Sequence, residues 1–451
     1  MKSPELLLPA GGPERMRTAF DYGADAVYAG SPRYSLRARN NEFAKLDVLS
    51  DGIAEAHRRG KKFFLTCNTL PHNSKLKTFV ADMEPLVAMK PDALIMADPG
   101  LIMVTRERWP EMPIHLSVQA NTTNYWGVKF WQNIGVERII LSRELSMEEI
   151  AEIRQQCPDI ELEVFVHGAL CIAYSGRCLL SGYFNHRDPN QGTCTNSCRW
   201  DYKVHDAQID DMGDAKLLEG FDFNKAQEEA NQAFEGINGQ KRHPKADKIF
   251  LLEESNRPGE YMPIMEDEHG TYIMNSKDLR AVEQVAELAK IGVDSLKVEG
   301  RTKSVYYVAR VAQAYRKAID DAVAGRPFDY GLLAELEGLA NRGYTTGFLE
   351  RHQTQEYQNY LEGHSLSKQS QYVGQVSAID ADGWATIDVK NRFAVGDTLE
   401  IIHPAGNQTI ILQAMKRGGE AADVAPGNGI QVQIPGMQGQ DKALVARIIN
   451  P

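Results

Sequence analysis

The chain of 451 residues is too long for one small domain; at roughly 150 residues per domain, with α/β barrels reaching ~250, it suits two domains or one barrel with additions. With 43% apolar and 25% charged residues it is not disordered, collagen-like or a coiled coil, and the absence of any apolar run long enough for a membrane span or signal peptide points to the cytoplasm. A formal charge of -11 excludes a generally DNA-coating surface, since non-specific nucleic-acid binding needs a positive field, but leaves room for a local basic patch.

Short β-branched or aliphatic runs at 5–8, 26–29, 62–67, 93–97, 114–118, 138–142, 161–166 and 295–299 predict strands. Between them, apolar stripes at helical spacing predict helices over 13–22, 46–59, 76–89, 125–134, 147–156, 278–291 and 304–323. Gly23, Gly60, Gly135, Gly292 and Gly325 stand where left-handed helix caps belong, and Ser146 with Glu149 reads as a capping box. This succession of βα units predicts an α/β fold, a closed (β/α)8 TIM-like barrel over residues 1–325.

One unit is swollen. After strand seven, about 110 residues (169–276) intervene before the next helix, holding a cysteine cluster and an acidic, Asn/Gln-rich stretch. An excursion of that length is uncommon unless it is functional, and it leaves from the end of the barrel where catalytic loops gather. Residues 326–370 read as a linker. Alternating segments at 372–379, 385–389, 398–402, 408–412, 429–433 and 443–449 then predict a small C-terminal all-β barrel domain over 371–451. Within it, Asp380-Ala381-Asp382-Gly383 resembles the start of a calcium loop but lacks the downstream glutamate, so it reads as a hairpin turn.

Of six cysteines, Cys171, Cys178, Cys194 and Cys198 fall within 28 residues, separated by six, fifteen and three residues. In a reducing compartment such a cluster reads as metal binding or redox chemistry before disulfides. Four soft thiolates on glycine-loosened backbone can wrap a zinc ion or an iron–sulfur cluster. The paired two-residue knuckles of zinc ribbons are missing, which favours iron–sulfur over zinc and over merely buried thiols.

Glu163, Phe165, Gly168-Ala169-Leu170-Cys171, Gly176, Cys178 and Leu180-Ser181 match, at every fixed position, the signature of the collagenase-like peptidase family of unknown catalytic type, which the whole chain resembles. Asn40-Asn41-Glu42-Phe43, Ser117 to Asn121, Arg187 to Gly192, Asn275 to Leu279 and Lys297 to Lys303 resemble its tRNA-hydroxylating branch. The resemblance implies an iron–sulfur protein that forms 5-hydroxyuridine at the wobble position of the tRNA anticodon without molecular oxygen, with prephenate as co-substrate and an electron donor as partner. It further implies Cys171, Cys178, Cys194 and Cys198 as the ligands of a 4Fe-4S cluster. Four thiolates saturate such a cluster, so electron transfer or scaffolding fits it better than Lewis-acid catalysis.

Alternation along strand eight turns Lys297, Glu299 and Arg301 the same way. Loops after strands seven and eight of barrels often hold phosphate, and a dicarboxylate wants the same fixed cations, so Lys297 and Arg301 are candidate anion binders; the competing reading is a buried Lys–Glu pair that only holds the barrel together. Gln119, Asn121 and Arg143 follow strands five and six as candidate substrate contacts. His167 closes strand seven and could move protons near pH 7. Arg33, Arg37 and Arg39, with Tyr34 and Phe43, form a basic, aromatic loop suited to RNA, and Tyr28, Tyr34 and Phe43 are candidates for an aromatic slot around a flipped base. A peptidase reading lacks His-Glu-x-x-His, Gly-x-Ser-x-Gly and Asp-Thr-Gly, and a Cys171–His167 pair would compete with metal for one thiolate. The rivals to a hydroxylase are therefore an exposed-thiolate peptidase and a zinc-stabilised RNA-binding protein without catalysis.

Overall fold

The computed structural model describes residues 1–35, 41–169, 278–301, 303–339, 343–350, 370–427 and 429–449, and the backbone of seven strands between 173 and 273. Eight parallel strands follow one another around a ring: β1 (Glu5–Pro9), β2 (Ala26–Gly30), β3 (Lys62–Cys67), β4 (Ala93–Met96), β5 (Ile114–Leu116), β6 (Arg138–Ile140), β7 (Glu161–Ala169) and β8 (Ser295–Val298). Ser295 of β8 lies opposite both Glu5 of β1 and Glu163 of β7, which closes the barrel. Strands such as β2, buried at every position, read as continuous apolar runs because lumen and helix layer cover both faces.

A helix follows each strand: α1 (Pro13–Asp21), α2 (Leu46–Arg58), α3 (Phe79–Ala88), α4 (Pro99–Arg108), α5 (Tyr125–Asn133), α6 (Met147–Gln156), α7 (Val285–Ile291) and α8 (Val305–Val323). The five glycines expected at helix ends all have positive φ, from +66° to +107°. The capping box is present, with Glu149 accepting from the Ser146 amide at 2.8 Å and Ser146 Oγ from the Glu149 amide at 3.4 Å. Helix α4 has no strong apolar stripe, burying only Leu101, Ile102 and Thr105; its start is set by Pro99 and by Asp98, whose carboxylate accepts from Leu101 N.

The expected helix over 278–291 is corrected. Asp278–Arg280 is a strand, and α7 begins only at Val285. The cause lies in β7, whose nine residues outrun its neighbours in the barrel. Its tip needs hydrogen-bond partners, and the returning chain supplies them antiparallel: Asp278 opposite Ala169, Arg280 opposite His167, and Ala281 N donating to Val166 O at 2.8 Å. Between departure and return lie a hairpin of Ala173–Tyr174 with Arg177–Cys178 and a five-stranded antiparallel sheet that the composition of the segment did not announce.

At the C-terminal end, eight antiparallel strands from Ser370–Ile379 to Leu444–Ile448 form an all-β domain around Val373, Ile387, Phe393, Ile401 and Val432. Asp380 to Gly383 is a hairpin turn, with Gly383 at φ +81° and Asp380 Oδ1 accepting from the amides of Asp382 and Trp384. This sheet rests on the barrel through α8 and α1. Tyr306 stacks on Tyr372 with centroids 5.3 Å apart, Arg310 pairs with Glu400, and Tyr22 donates to Ile402 O at 2.8 Å. Among the described residues no helix is long and apolar enough to cross a membrane.

Gly168 pins the departure point of the long segment. Its φ is +103°, and a Cβ there would lie 2.6 Å from the Glu299 carbonyl oxygen. Gly168→Ala is therefore expected to cost about 1–3 kcal/mol of stability; a urea-unfolding midpoint equal to that of the unaltered chain would contradict this account.

Candidate functional site at the barrel mouth

The lumen is built on charge. Glu163, fully buried on β7, accepts from Lys297 Nζ of β8 at 2.7 Å with one oxygen and from Arg138 Nη1 of β6 at 3.0 Å with the other. Arg138 also holds Glu5 at 2.6 Å and Glu161 at 2.7 Å, and Lys62 reaches Glu5 at 3.0 Å. Buried charges persist only when paired and hydrogen-bonded, and here each carboxylate meets at least one cation. Burial pushes the Lys297 ammonium below its ordinary value despite Glu163, while Arg138 stays above its own because Glu163 and Glu5 outweigh the burial. The buried Lys–Glu pair weighed from the sequence is thus present, with Glu163 as the partner.

Above this layer the strands end in aromatic walls bearing cations. The Lys297 ammonium lies 4.3 Å from the Tyr28 ring centroid and 5.5 Å from that of Phe165. The Arg143 guanidinium covers Phe165 at 3.9 Å, and that of Arg301 stands 5.8 Å from Tyr28. Tyr28 Oη donates toward Val298 O at 2.9 Å and Glu299 Oε2 at 3.1 Å, so Lys297, Glu299 and Arg301 all converge on this one ring. Tyr28, Phe165, Lys297 and Arg301 are all buried, so the described residues form a packed cation–aromatic cluster. Asn121, left-handed at φ +52°, accepts from Ser142 Oγ at 2.8 Å and thereby joins the β5 loop to the loop carrying Arg143; Gln119 sits two residues earlier, half-exposed.

Other expected site residues lie elsewhere. His167 faces the helix layer, with Tyr307, Tyr315 and Tyr344 at centroid distances of 5.5–5.8 Å and its Nδ1 3.3 Å from Tyr315 Oη. Burial, reinforced by Lys303 and Arg280, holds its imidazole at about 3, so it is neutral near pH 7 and is no proton carrier there. Tyr34 and Phe43 are core residues, edge-on to Phe79 and Phe63, and form no base slot. Arg33 pairs with Asp82 at 2.8 Å. Arg37, Arg39, Cys171, Cys194 and Cys198 lie outside the described residues, as does the side chain of Cys178 at the end of its short strand. Cys67 and Cys157 are buried, and burial pushes the Cys67 thiol up to about 12. Among the described residues no group of three His, Cys, Asp or Glu is placed to hold a metal ion.

Phe165 is the residue the sequence reading missed. Its signal was present: it stands two positions after Glu163 on the same strand, so both face the lumen. An opening of about 490 Å³ lies at the foot of the barrel near Lys62, His115 and Arg138, of which Lys62 and Arg138 already serve the salt-bridge layer.

Because the folded value of His167 lies below the ordinary 6.5, its contribution to stability is complete above pH 6.5 and is lost as pH falls toward 3, by up to about 1.4 kcal/mol per pH unit. His167→Phe should flatten the stability profile over that window; an unchanged slope in urea titrations would reject the assignment.

Residues 11–359 match the model of peptidase family U32, and residues 368–447 match that of the peptidase family U32 C-terminal domain. The chain is 58% identical over 442 residues to tRNA hydroxylation protein P of Escherichia coli (strain K12), covering 96% of this chain and 94% of the relative. It is also 58% identical over 428 residues to tRNA hydroxylation protein P of Haemophilus influenzae, covering 94% and 92%. A more distant relative, the 23S rRNA 5-hydroxycytidine C2501 synthase of Escherichia coli, is 29% identical over 322 residues, covering 71% of this chain and 40% of the relative.

Proposed function

The chain belongs to peptidase family U32, and from that membership we propose that it hydroxylates tRNA in the cytoplasm, converting the wobble uridine of the anticodon to 5-hydroxyuridine with a dicarboxylate, prephenate, as co-substrate. The observation that carries this reading is the 58% identity, over nearly the full length of both chains, to proteins named for tRNA hydroxylation. The cationic, aromatic mouth supplies compatible chemistry. Arg301 and Arg143 are the carboxylate-binding cations, since a guanidinium fork matches a carboxylate in two parallel hydrogen bonds. Tyr28 and Phe165, themselves buried, support these cations from beneath. Lys297, committed to Glu163 at 2.7 Å, supplies positive potential at the floor, and Glu299 steadies the Tyr28 hydroxyl. Gln119 and Asn121 are the polar rim.

Replacing C5–H by C5–OH takes two electrons from the base and adds one oxygen atom, so the reaction needs an electron acceptor and an oxygen source besides the residues of this chain. The donor set Cys171, Cys178, Cys194 and Cys198 matches the full thiolate complement of a 4Fe-4S cluster, and these are the residues that would hold it. When bound, such a cluster supplies one-electron transfer. Amide hydrolysis finds no comparable support: the described thiols are buried and His167 is neutral and turned from the mouth.

The test is mass spectrometry of tRNA nucleosides from a strain lacking this chain and other uridine hydroxylases, complemented with variants. The unaltered chain should restore 5-hydroxyuridine; Arg301→Ala should lower it roughly tenfold or more, as loss of a charge-assisted contact implies, and Cys178→Ala should abolish it. Full restoration by both variants, or stoichiometric zinc in a protein that leaves the nucleosides unaltered, would overturn the proposal.

A further inference from the structure

The loops after β1, β2 and β8 meet at Arg301, and their packing singles out a residue that neither the motifs nor the family assignment mark. Ser35 is 4% exposed, and its Oγ accepts from Arg301 Nη1 at 2.9 Å. Its own position is fixed from several sides. Ser31 Oγ accepts from Tyr34 N at 3.2 Å, Thr69 N donates to Tyr34 O at 3.0 Å, and the Tyr34 ring is driven edge-on into Phe79 while its hydroxyl donates to Asp82 at 2.8 Å. The chain leading into this hydroxyl is therefore anchored to the loop after β3 and to α3.

The surrounding backbone leaves room for this contact. A Cβ on Gly30 would lie 2.7 Å from Ser35 Oγ and 3.1 Å from Arg301 Nη1, and a Cβ on Gly11 would lie 2.2 Å from the Arg301 carbonyl oxygen. Gly30 thus leaves room for the bond between Ser35 and Arg301, and Gly11 for the backbone of Arg301. A guanidinium reads a carboxylate well only when its plane is fixed in advance, because an unheld arginine loses rotamer freedom on binding.

We propose that Ser35 is a positioning residue that orients Arg301 for a carboxylate-bearing ligand. This rests on the reading of Arg301 as the carboxylate-binding cation and adds to it a group that helps to aim the guanidinium. Ser35 touches no reacting atom; it acts through Arg301, so its loss weakens dicarboxylate affinity and leaves the turnover of bound complex unchanged.

The test is calorimetric titration of the full chain with prephenate, followed by steady-state hydroxylation of tRNA at varied prephenate. Ser35→Ala should weaken binding roughly tenfold, raising KM without lowering kcat. Gly30→Ala keeps the hydroxyl but crowds its bond to Arg301, and should weaken binding in the same sense. A residue needed only for folding would lower the fraction of sites that bind and leave the affinity of the rest intact, which would reject the proposal. If Arg301→Ala abolishes binding while Ser35→Ala and Gly30→Ala bind as the unaltered chain does, Ser35 has no positioning role although the carboxylate reading stands. If the unaltered chain binds no prephenate, that reading fails and this inference falls with it.

Discussion

The architecture depends on one carboxylate. Glu163 has no contact with water and divides its two oxygens between cations from two neighbouring strands, Arg138 on β6 and Lys297 on β8. A barrel interior filled by aliphatic side chains would close equally well by packing. Here a charged layer joins the apolar core, and it helps to fix register, since sliding β8 by one residue would turn Lys297 out of the lumen. Removing one partner of such a set leaves a buried charge uncompensated, which is far costlier than the net worth of the pair.

This layer also determines what the mouth can be. With Lys297 tied down by Glu163, the faces of Tyr28 and Phe165 above it carry a fixed positive charge from below, while Arg143 and Arg301 add charge from the rim. The chain is acidic overall, at -11, and these cations lie beside the carboxylate of Glu299.

Much of the framework was legible because it is local. Doubly buried strands announce themselves as apolar runs, helix ends as glycines, and the Ser146 to Glu149 cap as a four-residue pattern. What escaped was non-local. Asp278–Arg280 has the composition of a helix start, but the exposed tip of β7 claims it as a strand. Tyr34 and Phe43 look like a loop surface beside arginines, yet their rings reach back into the core against Phe79 and Phe63. His167 lies near the C-terminal end of β7, but the register shift between Lys297 and Val298 accompanies its turn toward the outer helices. That Lys297 would find Glu163 required knowing which strands adjoin after closure, which no window of sequence reports.

The pairing of Ala169 with Asp278 has a consequence for how such a chain could have arisen. The long excursion that holds the cysteines leaves and rejoins the barrel at two residues facing each other across a single ladder. A segment of about a hundred residues tethered at adjacent points imposes almost no geometric demand on its host, because lengthening a closed loop costs little once its ends are fixed. The host barrel could therefore acquire, shorten or exchange that cargo as a cassette, diversifying its chemistry while the ring beneath kept its shape.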